Sequence, residues 1–302
     1  MRRHHTATEF SSIFMPNPIL PGWTADPELH FFENRFWIYP TTSLPFEQQT
    51  FFEAWSSSDL VSWTNEGRIL DFVDILWSTQ FAAWAPSIAA KSGCYYFYFS
   101  AGDGAGIGVA VGDSPRGPFR DALGFPLVQG YPHGAQAIDP HCFQDDDGQA
   151  YLYFGGHGQC VVARLAPTMR AFNRAFTCIT PCKEFVEGPF MVKRRGLYYL
   201  MWSEGGWGDH SYCAAYGISD NPLGPFERQG LILQNDESIA RAAGHHSVLQ
   251  LPGTQDDWVI CYHRRPLEET DANHRVTCLE RLHFRTDGTI EPIVLSHKGV
   301  TL

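Results

Sequence analysis

A chain of 302 residues with 44% hydrophobic and 14% aromatic side chains can bury a large core, and its 28 Gly and 20 Pro suit many short strands joined by turns. The formal charge of −11 argues against a protein that tracks nucleic acid or an anionic membrane through clustered Lys and Arg, and leaves a neutral or cationic ligand. The eight cysteines are scattered through apolar runs such as Val259-Ile260-Cys261-Tyr262, which is how buried free thiols are placed, and they make no zinc-type pair of pairs.

Residues 1–13 read as an N-terminal extension. They begin Met1-Arg2-Arg3 but hold no apolar run long enough for a signal peptide, and no transmembrane span follows, so the expectation is a cytoplasmic protein unless a leader has been removed. Residues 14–302 are expected to form one domain. Within it one pattern returns five times: a small or acidic residue, usually Pro, alternating apolar residues, a turn, then a strand rich in Tyr and Phe.

The first copy runs from Ala25-Asp26-Pro27 through a turn at Glu33-Asn34-Arg35 into Phe36-Trp37-Ile38-Tyr39. The second opens on Trp84-Ala85-Pro86 and continues Tyr95-Tyr96-Phe97-Tyr98-Phe99 after Lys91-Ser92-Gly93. Third comes Ile138-Asp139-Pro140, with the turn Asp145-Asp146-Asp147-Gly148 and the strand Tyr151-Leu152-Tyr153-Phe154. The fourth opens on Glu187-Gly188-Pro189 and returns along Tyr198-Tyr199-Leu200-Met201-Trp202. The fifth opens on Gly244-His245-His246-Ser247 and returns along Trp258-Val259-Ile260-Cys261-Tyr262. The copies lie roughly 50–60 residues apart, slightly longer than the ~40–50 residues of a propeller blade. Further strand candidates at 107–110 and 215–218 extend these hairpins toward four-stranded blades, and no amphipathic helix separates them. The fold class predicted is all-β, a five-bladed β-propeller.

In a propeller the innermost strands line a central channel, so residues that open the repeats converge although they are far apart in sequence. Asp26, Asp139 and Glu187 are expected at equivalent opening positions and hence at one mouth. An Asp before Pro is ordinary turn chemistry, but three acids in register point to function. Glycoside hydrolysis needs one protonated carboxyl for the leaving oxygen and one ionised carboxylate to activate water, and a third acid nearby can raise the pKa of the first. Glu187, with the longer reach, suits the acid and Asp26 the base. Trp84 offers an indole face for a sugar ring or for packing between blades. Trp23 and Trp207 are lesser rim candidates. The Asp145–Gly148 run is a hairpin turn, because the twelfth position of an EF-hand loop would fall on Gly156.

The opening run Asn17-Pro18-Ile19-Leu20-Pro21-Gly22, followed in order by the five motifs quoted above, resembles glycoside hydrolase family 43, and the resemblance covers nearly the whole chain from about Asn17. It implies a five-bladed propeller that works by inversion, with Asp26 as general base, Asp139 as the acid that tunes pKa and orients substrate, and Glu187 as general acid. It also implies a calcium or similar ion held in the channel by His245 and several waters. His246 would face the sugar or the core, and an arginine contacting substrate or acid maps to Arg264 or its neighbour Arg265. The substrate implied is an arabinose- or xylose-containing oligosaccharide, with removal of α-L-arabinofuranosyl units as the first reading and β-xylosidase as the second. A non-catalytic carbohydrate-binding propeller and an invertase-like fructosyl enzyme are the rivals. The first would have no use for three mutually repelling acids in one channel, and the second lacks the Trp84-Ala85-Pro86 and Gly244-His245-His246-Ser247 motifs.

Overall fold

The alternating apolar repeats resolve into strand pairs, and the pairs into sheets. A computed structural model describes residues 16–300, so the expected extension at 1–13 lies outside the described residues. The first sheet holds β1 (Thr24–Phe32), β2 (Arg35–Thr42), β3 (Phe51–Ser57) and β4 (Thr64–Asp71). The second holds β5 (Trp84–Lys91), β6 (Cys94–Ala101), β7 (Gly106–Gly112) and β8 (Arg120–Asp121). The third holds β9 (His141–Gln144), β10 (Ala150–Phe154), β11 (Val161–Arg164) and β12 (Thr177–Cys178). The fourth holds β13 (Phe185–Arg194), β14 (Leu197–Glu204), β15 (Cys213–Ser219) and β16 (Glu227–Leu233). The fifth holds β17 (Ala240–Gln250), β18 (Trp258–Pro266) and β19 (Val276–Leu282). Each sheet is an antiparallel meander in chain order. The inner strands β1, β5, β9, β13 and β17 neighbour one another in that order, and β17 returns to β1, which makes the chain a five-bladed β-propeller.

The ring is closed by backbone bonds between the two ends of the chain. The fifth sheet has three strands, and the segment leading into β1 runs beside β19: Ile19 N–H donates to Thr277 O at 2.9 Å, and Thr24 N–H, at the start of β1, donates to Arg275 O at 2.8 Å. Asn17 completes the seam, its Nδ2 donating to Leu279 O at 3.2 Å and its Oδ1 accepting from Leu279 N–H at 2.8 Å. The core lies between blades rather than within a sheet. Tyr39 and Phe52 of the first blade pack on Phe97 and Phe99 of the second, with Phe52 and Phe97 centroids 5.2 Å apart. Tyr153 and Trp202 fill the seam between the third and fourth blades. Each ring so buried contributes roughly 1.5–3 kcal/mol. All eight cysteines carry free thiols.

One local conformation recurs where the inner strands open. Asp26, Ala85, Asp139 and Gly188 each precede a proline and have φ of 47°, 38°, 54° and 64°. Register shifts interrupt the β1/β2, β5/β6 and β13/β14 ladders at the same place. Such bulges re-aim side chains, and a non-glycine residue held at positive φ costs on the order of 1–3 kcal/mol. The preceding blade secures most of them. Thr41 Oγ1 accepts from Ala85 N–H at 2.7 Å, Ser100 Oγ accepts from Asp139 N–H at 2.9 Å, and His263 Nδ1 of the last blade accepts from Asp26 N–H of the first at 3.1 Å.

Candidate active site

The prolines correct the expected alignment of the three acids. Asp26 and Asp139 occupy the bulge position itself, but its counterpart in the fourth blade is Gly188, so Glu187 stands one residue earlier, level with Trp84 and Ile138. Both positions face the channel mouth, and Asp26, Trp84, Ile138, Asp139 and Glu187 line one cavity of about 190 Å³ together with Phe46, Asp103, Gln136, Trp207, His245 and Arg275. Glycine is needed at 188 because a Cβ there would lie 3.2 Å from His245 Nδ1, on a backbone already at positive φ.

The three carboxyl groups sit in different fields. Burial alone would raise the Asp26 carboxyl, but Arg275, His245 and His263 outweigh it and hold it far below the usual carboxylate range. Arg275 Nη1 lies 3.4 Å from Asp26 Oδ1, and its Nε donates to Ser43 Oγ at 3.1 Å. Asp139 is pushed well up by burial and by the charges of Glu187 and Asp26, against a backbone hydrogen bond from Gly188. Glu187 is raised to about 7 by burial and by Asp26, although the Tyr212 hydroxyl donates to its Oε1 at 2.9 Å and favours the ionised form. Asp139 and Glu187 titrate as a pair, and the pair keeps a proton at neutral pH beside an ionised Asp26. One carboxylate ready to accept a proton and one pair ready to give one is the requirement of glycosidic bond hydrolysis.

Aromatic rings close one side of the cavity. Phe46, on the loop between β2 and β3, stands 5.4 Å from the Trp84 ring and 6.0 Å from Trp207. Trp84 Nε1 donates to Gln49 Oε1, which fixes the indole. Trp207 lies under the Arg275 guanidinium at 5.3 Å. Trp23 instead stacks on His274 at 4.4 Å, outside the cavity lining. The polar side is formed by Gln136, whose Nε2 donates to Asp103 Oδ1 at 2.8 Å.

Two expected substrate contacts lie elsewhere. His246 turns into the seam between the fourth and fifth blades, buried, with Nε2 3.4 Å from Met201 Sδ and its ring 6.1 Å from Phe190. Neighbouring strand residues face opposite sides, so with His245 on the channel its neighbour is a core residue, and burial lowers its pKa to about 3. Arg264 is buried away from the cavity, its Nη1 donating to Ser296 O at 3.0 Å, while Arg265 Nη1 donates to Gly208 O at 2.9 Å beside Trp207. The arginine in the cavity is Arg275, from the loop between β18 and β19. Sequence reasoning also passed over Tyr212, His263, Phe46, Asp103 and Gln136. They lie outside the repeated openings and carry no motif of their own.

His245 lines the cavity, with Nδ1 3.7 Å from both Asp26 Oδ1 and Asp139 Oδ2. Burial lowers its pKa, which favours the neutral ring whose lone pair an ion would need. Calcium takes six to eight oxygen ligands, and among the described residues no three His, Cys, Asp or Glu side chains converge as a metal-binding group. His245 therefore fits an ion only as a single protein donor, with water making up the shell.

The family model for glycosyl hydrolases family 43 matches residues 15–290. A β-D-galactofuranosidase of Aspergillus niger is 46% identical over 97% of this chain and 89% of its own length. A crystal structure of a family 43 arabinoxylan arabinofuranohydrolase from Bacillus subtilis, in complex with cellotetraose, superposes with a TM-score of 0.83 at 27% identity, covering 94% of this chain and 69% of that one. A β-xylosidase/α-arabinofuranosidase from a compost metagenome, solved with xylotriose in a calcium-free form, gives 0.78 at 28% identity over 94% of this chain and 98% of its own. With a propeller, a three-carboxyl cavity and these relatives in agreement, the chain belongs to glycosyl hydrolases family 43, the glycoside hydrolases.

Proposed function

We propose that this glycosidase removes single terminal furanosyl units with inversion, β-D-galactofuranosyl in first place and α-L-arabinofuranosyl in second. The observation that carries the mechanism is the cavity in which an ionised Asp26 faces the proton-holding pair Asp139 and Glu187. Asp26 takes a proton from a water as its oxygen attacks the anomeric carbon. Glu187 gives its proton to the leaving oxygen as the glycosidic bond breaks, and Asp139 keeps that proton in place toward neutral pH. A cavity of about 190 Å³ is small beside the roughly 300–1,000 Å³ of drug-sized pockets, which suits one sugar ring and thus release from a chain end.

The choice of sugar rests on the 46% identical galactofuranosidase, against 27% and 28% for the relatives named for arabinose and xylose units. The two furanosides share the ring configuration and differ in the exocyclic arm, a diol in one and a hydroxymethyl in the other. The Asp103–Gln136 pair supplies acceptors and donors for such an arm. A calcium ion beside His245 belongs to the same proposal; its charge would favour the ionised carboxylates around it. The test is a panel of nitrophenyl β-D-galactofuranoside, α-L-arabinofuranoside and β-D-xyloside, with proton NMR of the first-formed anomer. Fastest turnover of the galactofuranoside with inverted product is expected. Preference for the xyloside would overturn the sugar assignment, and a retained anomer would overturn the mechanism.

A further inference from the structure

We propose that Tyr131 and His157 form the subsite for the leaving group, receiving the apolar C–H face of the sugar ring next to the scissile bond. This rests on the reading of Glu187 as the acid, because the acid must stand beside the leaving oxygen. The two rings are stacked, with centroids 5.8 Å apart and 7° between planes. They remain open to solvent, with Tyr131 55% exposed and His157 exposed beside it. A stacked, exposed aromatic pair of this kind gains nothing from the core and offers a flat platform to a ligand.

Its place in the fold ties it to the catalytic cavity on two sides. His157 lies between Gly156, whose backbone exchanges hydrogen bonds with the cavity residue Gln136 at 3.2 and 3.3 Å, and Gly158, whose N–H donates at 3.1 Å to the carbonyl of Val186. Val186 is the residue before Glu187, so the loop carrying His157 spans from the polar wall of the cavity to the strand that bears the acid. Tyr131 reaches the same wall from the other side. A Cβ placed on Gly104 would be 3.4 Å from the Tyr131 hydroxyl and 3.1 Å from Gln136 Cγ. The short turn after Tyr131 is pinned by His133, whose Nε2 is 3.0 Å from Phe176 O. A sugar bound in the cavity with its leaving oxygen on Glu187 therefore extends its next ring toward this platform.

The experiment compares kcat/KM on a disaccharide and on the methyl glycoside of the same furanosyl unit, whichever unit the enzyme releases fastest. Only the disaccharide has a ring to stack. Tyr131→Ala should lower the ratio of disaccharide to methyl glycoside about 3–10-fold, the scale of one aromatic contact. Tyr131→Phe and Tyr131→Trp, which keep the face, should hold the ratio at the parent value, and His157→Ala should lower it. An unchanged ratio in Tyr131→Ala, or equal falls on both substrates, would overturn the platform while the furanosidase reading stands. If the parent enzyme cleaves neither furanoside, that reading fails first and takes the subsite with it.

Discussion

Removing the Tyr212 hydroxyl tests the acid assignment with a predicted sign. That hydroxyl donates to Glu187 Oε1 at 2.9 Å and so favours the ionised carboxylate, against burial and the Asp26 charge that favour the protonated form. A hydrogen bond to a charged group is worth about 1.5–3 kcal/mol, which at 1.36 kcal/mol per pKa unit is about one to two units. Glu187 opens onto the cavity and is partly solvated, so the lower end applies. In Tyr212→Phe the acid should hold its proton about one unit higher, from about 7 to about 8, and the alkaline limb of kcat/KM against pH should move up by that amount. The acidic limb, set by the strongly depressed Asp26, should not move. Phe keeps the ring and its stacking on His263 at 5.8 Å, so the frame of the site survives. Asp139→Asn supplies the opposite sign: without that neighbouring charge the pair loses its last proton earlier, and the limb should move down. A pH series of initial rates on an unactivated furanoside measures both. If the limb falls or stays in Tyr212→Phe, Glu187 is not the group whose ionisation ends activity.

Glu187→Ala should lose about 10²–10⁴-fold on substrates with poor leaving groups and far less on an activated aryl furanoside; equal losses on both would remove it from the acid's role. The raised Glu187 also predicts a stability profile. The folded chain binds that proton more tightly than the unfolded one, so this group's contribution falls as pH rises from the ordinary carboxylate range near 4.5 through about 7. Glu187→Gln should then gain about 1–3 kcal/mol over the parent at pH 8 and little at pH 4, read from urea midpoints; a gain that is the same at both pH values would break the link. If His245 helps hold calcium, chelation should lower the thermal midpoint and added calcium should restore it, because an ion bound only by the folded state stabilises that state. A midpoint indifferent to both would leave His245 as a neutral channel residue.

The five blades were legible because each is a short-range object. Alternation, a turn and an aromatic return strand are contiguous in sequence, and the hairpins β1/β2, β5/β6, β9/β10, β13/β14 and β17/β18 fall where the repeats predicted them. Ring closure was not legible in the same way. It depends on Asn17 and Ile19 bonding β19 across more than 250 residues, and nothing local in Asn17-Pro18-Ile19 marks it as the partner of the last strand. Convergence of Asp26, Asp139 and Glu187 followed from the propeller itself. Their exact equivalence did not, because the alignment was anchored on acidity, whereas the backbone is anchored on the prolines that follow the positive-φ bulge.

The misplaced arginine has a related cause. Arg264 and Arg265 sit in a regular strand, where alternation guarantees that at most one faces inward and says nothing of which way is in. The structure puts His263 on the Asp26 side and turns Arg264 to the C-terminal segment. The cationic partner of the base comes instead from Arg275, at the end of an irregular loop, with its backbone carbonyl already bound to Thr24 N–H in the closing seam. The seam and the catalytic charge are thus the same few residues: Thr24 leads into Asp26, and Arg275 closes the ring with its backbone while its guanidinium lowers the Asp26 pKa. His263 joins the last blade to the first through the same aspartate. Any loosening of the first blade against the fifth should therefore take His263 and Arg275 away from Asp26 and misplace the base, before the other blades lose their packing.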